Sequence, residues 1–341
     1  METGYSLKTI RKALTTRALE LTIFPTEQCN FRCTYCYEDF SIGKMKPDVV
    51  RGIKNLIDHR VSELDHLRLV WFGGEPLAAL DIIEDIATYA KNSCIGKKVN
   101  FAQGHITTNG YKLNLKTASR LVELGQSDFQ ISLDGDEKTH NRSRPLLSGG
   151  GTYGVIMRNI RELHASDLPF SITLRLHLMP TNLSGIESLL SELQTIIGGD
   201  SRFKIFLKRI SNYGGPNAES IKTLDYKDSE ERVKRLTDNI AGNGGLSPIS
   251  THSEYICYAA KPNSLLIRAN GRIAKCTVAL NESFNDIGEI HPDGSLSLDN
   301  SKLRPWMRGF STLSQLDLAC PLTQFPGKEK IINFVPAKAL D

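Results

Sequence analysis

The feature that most constrains the fold is an alternation of short apolar runs with helical patterns over the first two thirds of the chain. The apolar runs are rich in branched residues, which is typical of buried strands. The candidate strands are Ala18 to Phe24, His66 to Phe72, Asn100 to Thr107, Ser127 to Leu133, Phe170 to Leu178 and Arg202 to Leu207. Strands that alternate with helices in this way predict βα units and a parallel sheet.

Helical patterns lie between these runs. After the first run, one face of a predicted helix carries Val49, Val50, Ile53, Leu56 and Ile57, with Pro47 suited to the first turn. Similar stripes occur near 77–90, 115–124, 153–164 and 183–197. Six βα units are too few to close an eight-stranded barrel. We therefore expect an α/β fold with a partial (β/α)6 TIM-like barrel, whose chemistry lies at the carboxyl ends of the strands.

The pattern changes after residue 210. Residues 211–250 form a polar stretch around a charged helical segment at about 225–240, which we interpret as a linker or lid. Further on, Ser264 to Ile267 and Arg272 to Cys276 flank the turn Asn270-Gly271, as in a β-hairpin. The sequence thus predicts an N-terminal extension (1–17), the barrel (18–210), the linker or lid (211–250) and a small C-terminal α+β domain (251–341).

Composition and charge exclude several classes of protein. The chain is 40% hydrophobic and 23% charged, without an apolar run long enough for a membrane span. Its start lacks the features of a secretory signal, and the net charge of +4 is scattered rather than massed as in a nucleic-acid-binding surface. We expect a soluble cytoplasmic protein with no nucleic-acid or membrane partner. Because that compartment disfavours disulfides, the seven cysteines indicate metal binding or catalysis.

Three of the cysteines lie on one short loop directly after the first predicted strand. Cys29, Cys33 and Cys36 are spaced C-x3-C-x2-C, and Tyr35 stands immediately before the third. Structural zinc normally takes four closing ligands, whereas iron–sulfur clusters are held by closely spaced thiolates. Three thiolates leave one iron of a cluster open to a substrate or cofactor. The structural alternative is a zinc loop completed by a remote ligand such as Cys94 or a histidine.

Polar residues stand where the following strands end. The second strand ends in Gly73-Gly74-Glu75-Pro76, the third in Thr107-Thr108-Asn109-Gly110 and the fourth in Ser132-Leu133-Asp134-Gly135. The glycines allow the backbone to approach a ligand, and the carboxylate of Glu75 can accept from an ammonium group. On the fifth strand Arg175 and His177 share one face because side chains alternate. The alternatives are turn chemistry for Thr108 and Asp134, and a satisfied interior position for His177.

Together, the cysteine loop and the GGEP turn resemble the signature motifs of the radical S-adenosylmethionine (SAM) superfamily. The resemblance implies that Cys29, Cys33 and Cys36 hold a 4Fe-4S cluster whose open iron binds SAM. One electron from the cluster then releases a 5′-deoxyadenosyl radical. The residues that we expect to bind the cofactor are Gly73, Gly74, Glu75, Thr108, Asn109, Ser132, Asp134, Arg144 and Arg175.

A second group of cysteines, Cys257, Cys276 and Cys320, follows residue 250. Gly271 and Cys276 reproduce the G-x4-C element of the SPASM and twitch domains, which hold auxiliary iron–sulfur clusters in enzymes that modify peptides and proteins. A full SPASM domain carries about seven cysteines for two clusters, so the resemblance implies at most one auxiliary cluster here. A zinc site or buried unliganded cysteines are the alternatives, and Cys94 is expected to be a core cysteine.

The layout is also similar to that of sulfatase-maturing enzymes, which oxidise Cys or Ser to formylglycine. Those enzymes typically carry Asp directly after the cysteine of the G-x4-C element, where this chain has Thr277. The leading hypothesis is therefore a maturase for a ribosomally made peptide, which installs a cross-link or another oxidative modification. The auxiliary cluster is expected to take the electron. The candidate proton acceptors are Asp134, His177, Glu254 and Tyr255.

Expected partners are a precursor peptide or protein and an electron donor of the flavodoxin or ferredoxin type. Only about seventeen residues precede the first strand, too few for the winged-helix recognition segment of many such maturases, so a separate peptide-recognition protein is a further candidate. Three alternatives remain open. One is formylglycine formation as in the sulfatase-maturing enzymes, and the second is a dehydrogenase acting on a small molecule such as an aminoglycoside. The third is a non-enzymatic protein whose cysteines bind structural zinc.

The two cysteine groups predict different losses of activity. Changing Cys29, Cys33 and Cys36 to Ala should abolish 5′-deoxyadenosine formation after anaerobic reconstitution with iron and sulfide. Changing Cys257, Cys276 and Cys320 should spare SAM cleavage and block the product. Iron analysis should find about eight irons per wild-type chain and about four in either variant, taking four per cubane. Zinc alone, or equal loss of SAM cleavage in both variants, would contradict this assignment.

Overall fold

The computed structural model describes residues 5–243, 245–249 and 254–326. Among these residues one sheet of twelve strands runs through the molecule. Strands β1 to β12 are, in chain order, Ala18–Ile23, His66–Trp71, Asn100–Phe101, His105–Thr108, Asp128–Leu133, Ser171–Leu178, Phe203–Arg209, Ser247–Pro248, Ser264–Ile267, Arg272–Ala274, Gly288–Ile290 and Leu296–Leu298.

The α-helices of the described residues flank this sheet. Helices α1 to α11 are, in chain order, Leu7–Leu14, Pro47–Val61, Leu80–Lys97, Leu115–Glu123, Glu137–Ser143, Tyr153–His164, Leu183–Ile197, Tyr226–Asn243, Asn300–Met307, Gly309–Thr312 and Gln315–Ala319. Short 3-10 turns include Pro76–Ala79 and Tyr258–Ala260. Within the described ranges, no helix has the length and apolar character that crossing a membrane requires.

Strands β1, β2, β4, β5, β6 and β7 follow one another in space and pair in parallel. Along β6, Leu174 and Leu176 are completely buried and share a hydrophobic core with Ile160 of α6 and Leu189 of α7. The opposite face of β6 carries Arg175. In the described part of the chain the sheet ends at β8 on one side and β12 on the other, so the predicted partial barrel is confirmed and stays open.

The third predicted strand is wrong in one detail, because it is broken into β3 and β4. Leu67 of β2 faces Phe101, and Val70 faces His105. Three steps along β2 therefore match four along its neighbour, which leaves one extra residue as in a β-bulge. The other predicted helices and the hairpin at Asn270-Gly271 are confirmed within about three residues, whereas the helix predicted near 77–90 continues to Lys97.

The C-terminal segment continues the sheet of the barrel. β9 pairs in parallel with β1, and β10 to β12 follow as an antiparallel meander. On the other side, α8 and β8 lie within the predicted linker, and β8 pairs in parallel with β7. α1 packs on the C-terminal segment through a small apolar cluster that includes Tyr5, Ala13, Ile256 and Leu318. One sheet crosses the boundaries between the predicted barrel, linker and C-terminal domain. The division of the chain into four parts therefore stays a prediction.

Gly52 of α2 marks a close contact between the barrel and the C-terminal segment. A Cβ atom at Gly52 would lie 2.5 Å from the backbone oxygen of His291, whereas one at Gly96 of α3 would meet nothing within 4 Å. Gly52→Ala should therefore lower the free energy of unfolding by about 1–3 kcal/mol. Gly96→Ala should raise it by up to about 1 kcal/mol, because alanine favours a helix. Urea unfolding followed by circular dichroism measures both, and equal effects would contradict the contact.

Candidate active site

The cysteine loop, residues 24–46, leaves the carboxyl end of β1 and is fastened to the chain that follows α5. Two backbone hydrogen bonds of 2.9 Å join Arg32 to Pro145 and Thr34 to Ser143. All three cysteines of the loop are partly buried and unpaired. The loop has little regular structure of its own, so these contacts determine where its sulfur atoms lie.

Burial and mutual charge govern the three thiols. The pKa of Cys29 is raised to about 12, mainly by burial and to a smaller extent by the charges of Glu75, Cys33 and Cys36. Burial also raises the pKa of Cys36 to about 12, followed by the charge of Cys33. Burial likewise raises the pKa of Cys33, while the charge of Arg144 lowers it. The thiols thus lie near one another, and iron that binds them must displace their protons.

This donor set fits an iron–sulfur cluster. Each thiolate of a 4Fe-4S cluster binds a different iron atom, so the thiolates need only line a shared space. A single zinc ion needs ligands that converge on one point at about 2.3 Å for sulfur. Across residues 5–243, 245–249 and 254–326, no three His, Cys, Asp or Glu side chains converge in this way.

The turn after β2 lies directly against the cysteine loop. Gly73 has φ +116°, and a Cβ atom there would lie 2.3 Å from the backbone oxygen of Thr26. At Gly74 a Cβ atom would lie 2.5 Å from the backbone oxygen of Gln28. Any other residue at either position would push the two segments apart, so these glycines set the distance between the turn and the loop.

Glu75 ties this turn to the end of β4. Its carboxylate is completely buried, and Oε1 accepts hydrogen bonds from Thr108 Oγ1 at 2.8 Å and Leu77 N at 2.9 Å. Oε2 accepts from Asn109 N at 2.7 Å. Burial raises the pKa of Glu75 although these three donors oppose the shift. Asn109 also donates to Asn30 Oδ1 at 2.8 Å, which links the turn to the cysteine loop.

The hydroxyl of Tyr35 joins the cysteine loop to the ends of β5 and β6. It donates to Asp134 Oδ1 at 2.9 Å and lies 2.9 Å from His177 Nδ1. Arg144 Nη1 donates to the same hydroxyl at 2.6 Å. Asp134 also accepts from Ser143 Oγ at 2.6 Å. The sequence indicated Tyr35 only as an aromatic residue before the third cysteine. No local pattern predicts the partners of its hydroxyl.

The charges of this network follow from burial and pairing. Burial alone would raise the pKa of Asp134, but the hydrogen bond from His177 and the charge of Arg144 outweigh it and lower the pKa. Burial lowers the pKa of His177 to about 4 against the opposing effect of Asp134. At neutral pH Asp134 is therefore a carboxylate and His177 a neutral imidazole. Since the carboxylate is only an acceptor, Nδ1 of His177 carries the proton.

Further polar side chains share the face of the sheet that carries His177. Ser132 of β5 lies opposite Arg175 of β6, and His177 lies opposite Lys208 of β7. Paired residues of neighbouring strands project to the same face. Lys208 was missed by the sequence analysis, although extending the strand-end rule to the sixth predicted strand would have found it.

The C-terminal segment brings Cys257, Cys276 and Cys320 into one neighbourhood. Burial raises the pKa of Cys257 to about 11, followed by the charge of Cys320. Burial raises the pKa of Cys276, with both other cysteines adding to it. Asn285 holds the backbone of Cys276 through hydrogen bonds of 2.9 and 2.8 Å. Burial and the charge of Cys257 raise the pKa of Tyr255, which lies beside this group.

Two tyrosines lie between the cysteine groups. The rings of Tyr37 and Tyr213 meet edge to face with centroids 5.6 Å apart. A Cβ atom at Gly215 would lie 2.8 Å from the backbone oxygen of Cys36, so the chain after β7 passes directly over the cysteine loop. Both tyrosines interact electrostatically with Cys276. Part of the predicted linker or lid therefore covers the site.

Two of the residues considered lie elsewhere. The carboxylate of Glu254 accepts hydrogen bonds from the hydroxyls of Ser6, at 2.9 Å, and Thr9 at the start of α1. Glu254 therefore stabilises the N-terminal helix, whereas Asp134 and His177 lie together at the strand ends. Cys94 is completely buried in the main hydrophobic core, as expected.

Fold and site together define a class of enzyme, with an open α/β barrel and a three-cysteine loop at the carboxyl end of the first strand. The sequence profile of the Radical SAM superfamily matches residues 23–193, about half of the chain. The protein therefore belongs to the radical SAM superfamily. Relatives named as a maturase and a cyclase are 29% and 22% identical to it over 160 and 264 residues, and the protein is an enzyme. Membership implies a 4Fe-4S cluster and SAM as cofactors.

The chain is also similar in sequence to individual proteins. The chain is 30% identical over 149 residues to the uncharacterized protein MJ0907 of Methanocaldococcus jannaschii, covering 43% of this chain and 49% of that protein. It is 25% identical over 234 residues to the cysteine-type anaerobic sulfatase-maturating enzyme of Clostridium novyi, covering 65% and 59%. The chain spans about half the length of the first curated relatives it matches.

A solved structure shares the fold over most of the chain. The crystal structure of Streptococcus suis SuiB bound to its precursor peptide SuiA superposes with a TM-score of 0.63 at 14% sequence identity. The superposition covers 97% of this chain and 78% of SuiB. At this identity the likeness shows the fold, including the part that carries the second cysteine group.

The Tyr35 hydroxyl should be needed to place the cysteine loop. Tyr35→Phe removes the hydroxyl that joins Asp134, His177 and Arg144. Each of these three buried side chains then loses one hydrogen bond. We expect the retained iron of the reconstituted chain to fall at least twofold and 5′-deoxyadenosine formation to fall at least about tenfold, since an unsatisfied buried group costs about 1–3 kcal/mol. Tyr111→Phe, on a ring that packs edge-on against Phe31, is the matched control. Unchanged iron content in the Tyr35 variant would contradict the role.

Proposed function

We propose that this enzyme modifies a precursor peptide, in which it installs a cross-link or another oxidative modification. The observation that carries the proposal is the second group of cysteines, which the sheet continued from β1 brings into one neighbourhood beside the barrel. The fold shared with SuiB, whose structure contains its precursor peptide, supports the same substrate class.

We assign the two cofactors to the residues that meet around the cysteine loop. Cys29, Cys33 and Cys36 would hold the cluster, and the backbone of Gly73 and Gly74 would bind the amino group of SAM. Ser132 and Arg144 serve its ribose and carboxylate, while Glu75, Thr108 and Asn109 hold the turn in place. When bound there, the cluster and SAM supply a 5′-deoxyadenosyl radical that removes a hydrogen atom from the substrate.

Among the four candidate proton acceptors, His177 suits the role best. Asp134 already accepts from Tyr35, Ser143 and His177, and its low pKa makes it a weak base. A tyrosine with a raised pKa, such as Tyr255, stays protonated. The neutral imidazole of His177 holds its proton on Nδ1, so Nε2 carries the lone pair. We assign Nε2 of His177 as the acceptor of the substrate proton.

We assign one auxiliary cluster to Cys257, Cys276 and Cys320, where it would receive the electron that the oxidised substrate releases. Thr277 follows Cys276, and its hydroxyl lies 2.9 Å from the hydroxyl of Tyr258. Neither group is a base near neutral pH, which disfavours formylglycine formation. A flavodoxin or ferredoxin would supply electrons, and a separate protein could present the peptide.

Mass spectrometry tests the proposal. The enzyme, reconstituted with iron and sulfide, is incubated with SAM, dithionite and synthetic peptides encoded by the short genes next to its own. We expect one peptide to lose two hydrogen atoms and to stimulate 5′-deoxyadenosine formation. Turnover of a sugar or another small molecule, with no change in any peptide, would contradict the proposal.

His177→Asn separates the acceptor from the network that supports it. The amide of Asn can replace the Nδ1 donor towards Asp134 but cannot replace Nε2. Iron content and SAM cleavage should therefore stay near wild type, while peptide product falls at least about 100-fold, as on loss of a general base. Product formation that is unchanged, or that falls only in proportion to SAM cleavage, would contradict the assignment.

A further inference from the structure

Arg175 is a half-buried arginine on the face of β6 that also carries His177. Its Nε atom is shielded from solvent and has no hydrogen-bond partner among the residues that the structure describes. None of the ion pairs of these residues involves it. A buried donor without an acceptor is costly. The Nε–H group therefore offers a hydrogen bond that an acceptor from outside the described chain can complete.

The surroundings of Arg175 add positive charge. Lys208 lies on the same face of the sheet, one strand further and towards the strand end. Burial lowers the pKa of Lys208 to about 7, followed by the charges of Arg175 and Arg209. The cationic pair, defined as Arg175 and Lys208, thus lies where cations repel one another. A bound anion would relieve this repulsion and raise the pKa of Lys208.

Arg144 differs from Arg175 in having a hydrogen bond within the same site, although its Nε atom is likewise buried without a partner. Its guanidinium donates to Tyr35, and Asp134 accepts from the same hydroxyl. The charges of Cys33 and Asp134 also stabilise its cationic form. Arg144 is thus tied to the cysteine loop, on the side where SAM is expected. Arg175 lies opposite Ser132 of β5, and its charge acts on His177, Lys208 and Tyr213.

We propose that Arg175 and Lys208 bind a carboxylate of the substrate peptide, and that the natural substrate carries an acidic residue next to the residue that reacts. The planar guanidinium matches a carboxylate in a two-point contact, and carboxylates are the anions that an unmodified peptide contains. The charge of Arg175 acts on His177 of the Tyr35 network, and the charge of Cys320 of the second cysteine group acts on Lys208, so the pair lies near both groups. This inference rests on the proposed function.

Substrate binding would also prepare the proton acceptor. The charge of Arg175 is one of the influences that lower the pKa of His177. A carboxylate paired with Arg175 offsets that charge, so the pKa of His177 rises and Nε2 becomes a better acceptor. A peptide with the correct acidic residue is thus recognised and made reactive by the same contact.

Retention of peptides on the reconstituted enzyme tests the inference without turnover. One mixture contains random octapeptides that are acetylated and amidated at their ends, so that their carboxylates are side chains only. A second mixture lacks Asp and Glu but has free carboxyl ends. After ultrafiltration with SAM and without reductant, mass spectrometry compares the bound and free peptides. We expect wild type to enrich acidic peptides of the first mixture at least about tenfold, as for a buried charge pair.

Variants locate the effect on the pair. Arg175→Gln and Lys208→Gln should each remove most of the enrichment, and Arg175→Lys should keep part of it. Lys204→Gln, an exposed position at the other end of β7, is the matched control and should retain all of it. Enrichment of free carboxyl ends alone would overturn the inference of an acidic residue and would assign the pair to the C-terminus of the peptide.

Other results would overturn the inference. Peptides retained without acidic preference, or equally by Arg175→Gln, would remove the carboxylate pocket and leave the proposed function standing. A tenfold loss of SAM affinity in Arg175→Gln, measured by calorimetry with peptide retention unchanged, would assign the arginine to the SAM carboxylate. Wild type that retains no peptide at all would contradict the peptide function itself, and the inference with it.

Discussion

The hydroxyl of Tyr35 is the interaction on which the arrangement of this site depends. A long loop with little secondary structure carries the three cysteines, and its backbone alone cannot hold three sulfur atoms in place. Tyr35 stands next to Cys36, and its hydroxyl is bonded inside the protein to Asp134 and Arg144. The negative charge of the Asp134 carboxylate and the positive charge of the Arg144 guanidinium offset each other through this hydroxyl. Removing any one of the three groups would leave the other two buried without their partner, which is costly.

Charge is distributed unequally across the interior face of the sheet. Arg144 donates to Tyr35 within the chain, and the pKa of His177 is lowered because burial and two arginines outweigh one carboxylate. The buried Nε atom of Arg175 has no hydrogen-bond partner among the described residues, and no ion pair of these residues involves Arg175. The open barrel permits this because helices cover only the apolar face of the strands. A site that binds a charged substrate needs such an imbalance, since a fully paired interior would have nothing to offer it.

The C-terminal segment is part of the same construction. β9 pairs with β1, the strand that leads into the cysteine loop, so the two cysteine groups are placed from neighbouring strands. Gly52 allows α2 to meet the backbone at His291. The chain after β7 then crosses the cysteine loop at Gly215 and brings Tyr213 against Tyr37. Tyr213 and Lys208 both feel the charge of Cys320, so the second cysteine group lies near the carboxyl end of β7.

Local patterns determined much of this protein. The βα alternation determined the parallel strands and their order, because each apolar run must be buried and each connection is short. The spacing of Cys29, Cys33 and Cys36, and the glycines after β2, determined the type of site, because these elements act within a few residues of one another. Only the tertiary structure decided that Tyr35 meets Asp134 and His177, that Glu75 holds the end of β4, and that Arg175 stays unpaired. Those outcomes depend on which side chains from strands far apart in the sequence meet when the sheet curves. A local sequence pattern does not specify contacts between such distant residues.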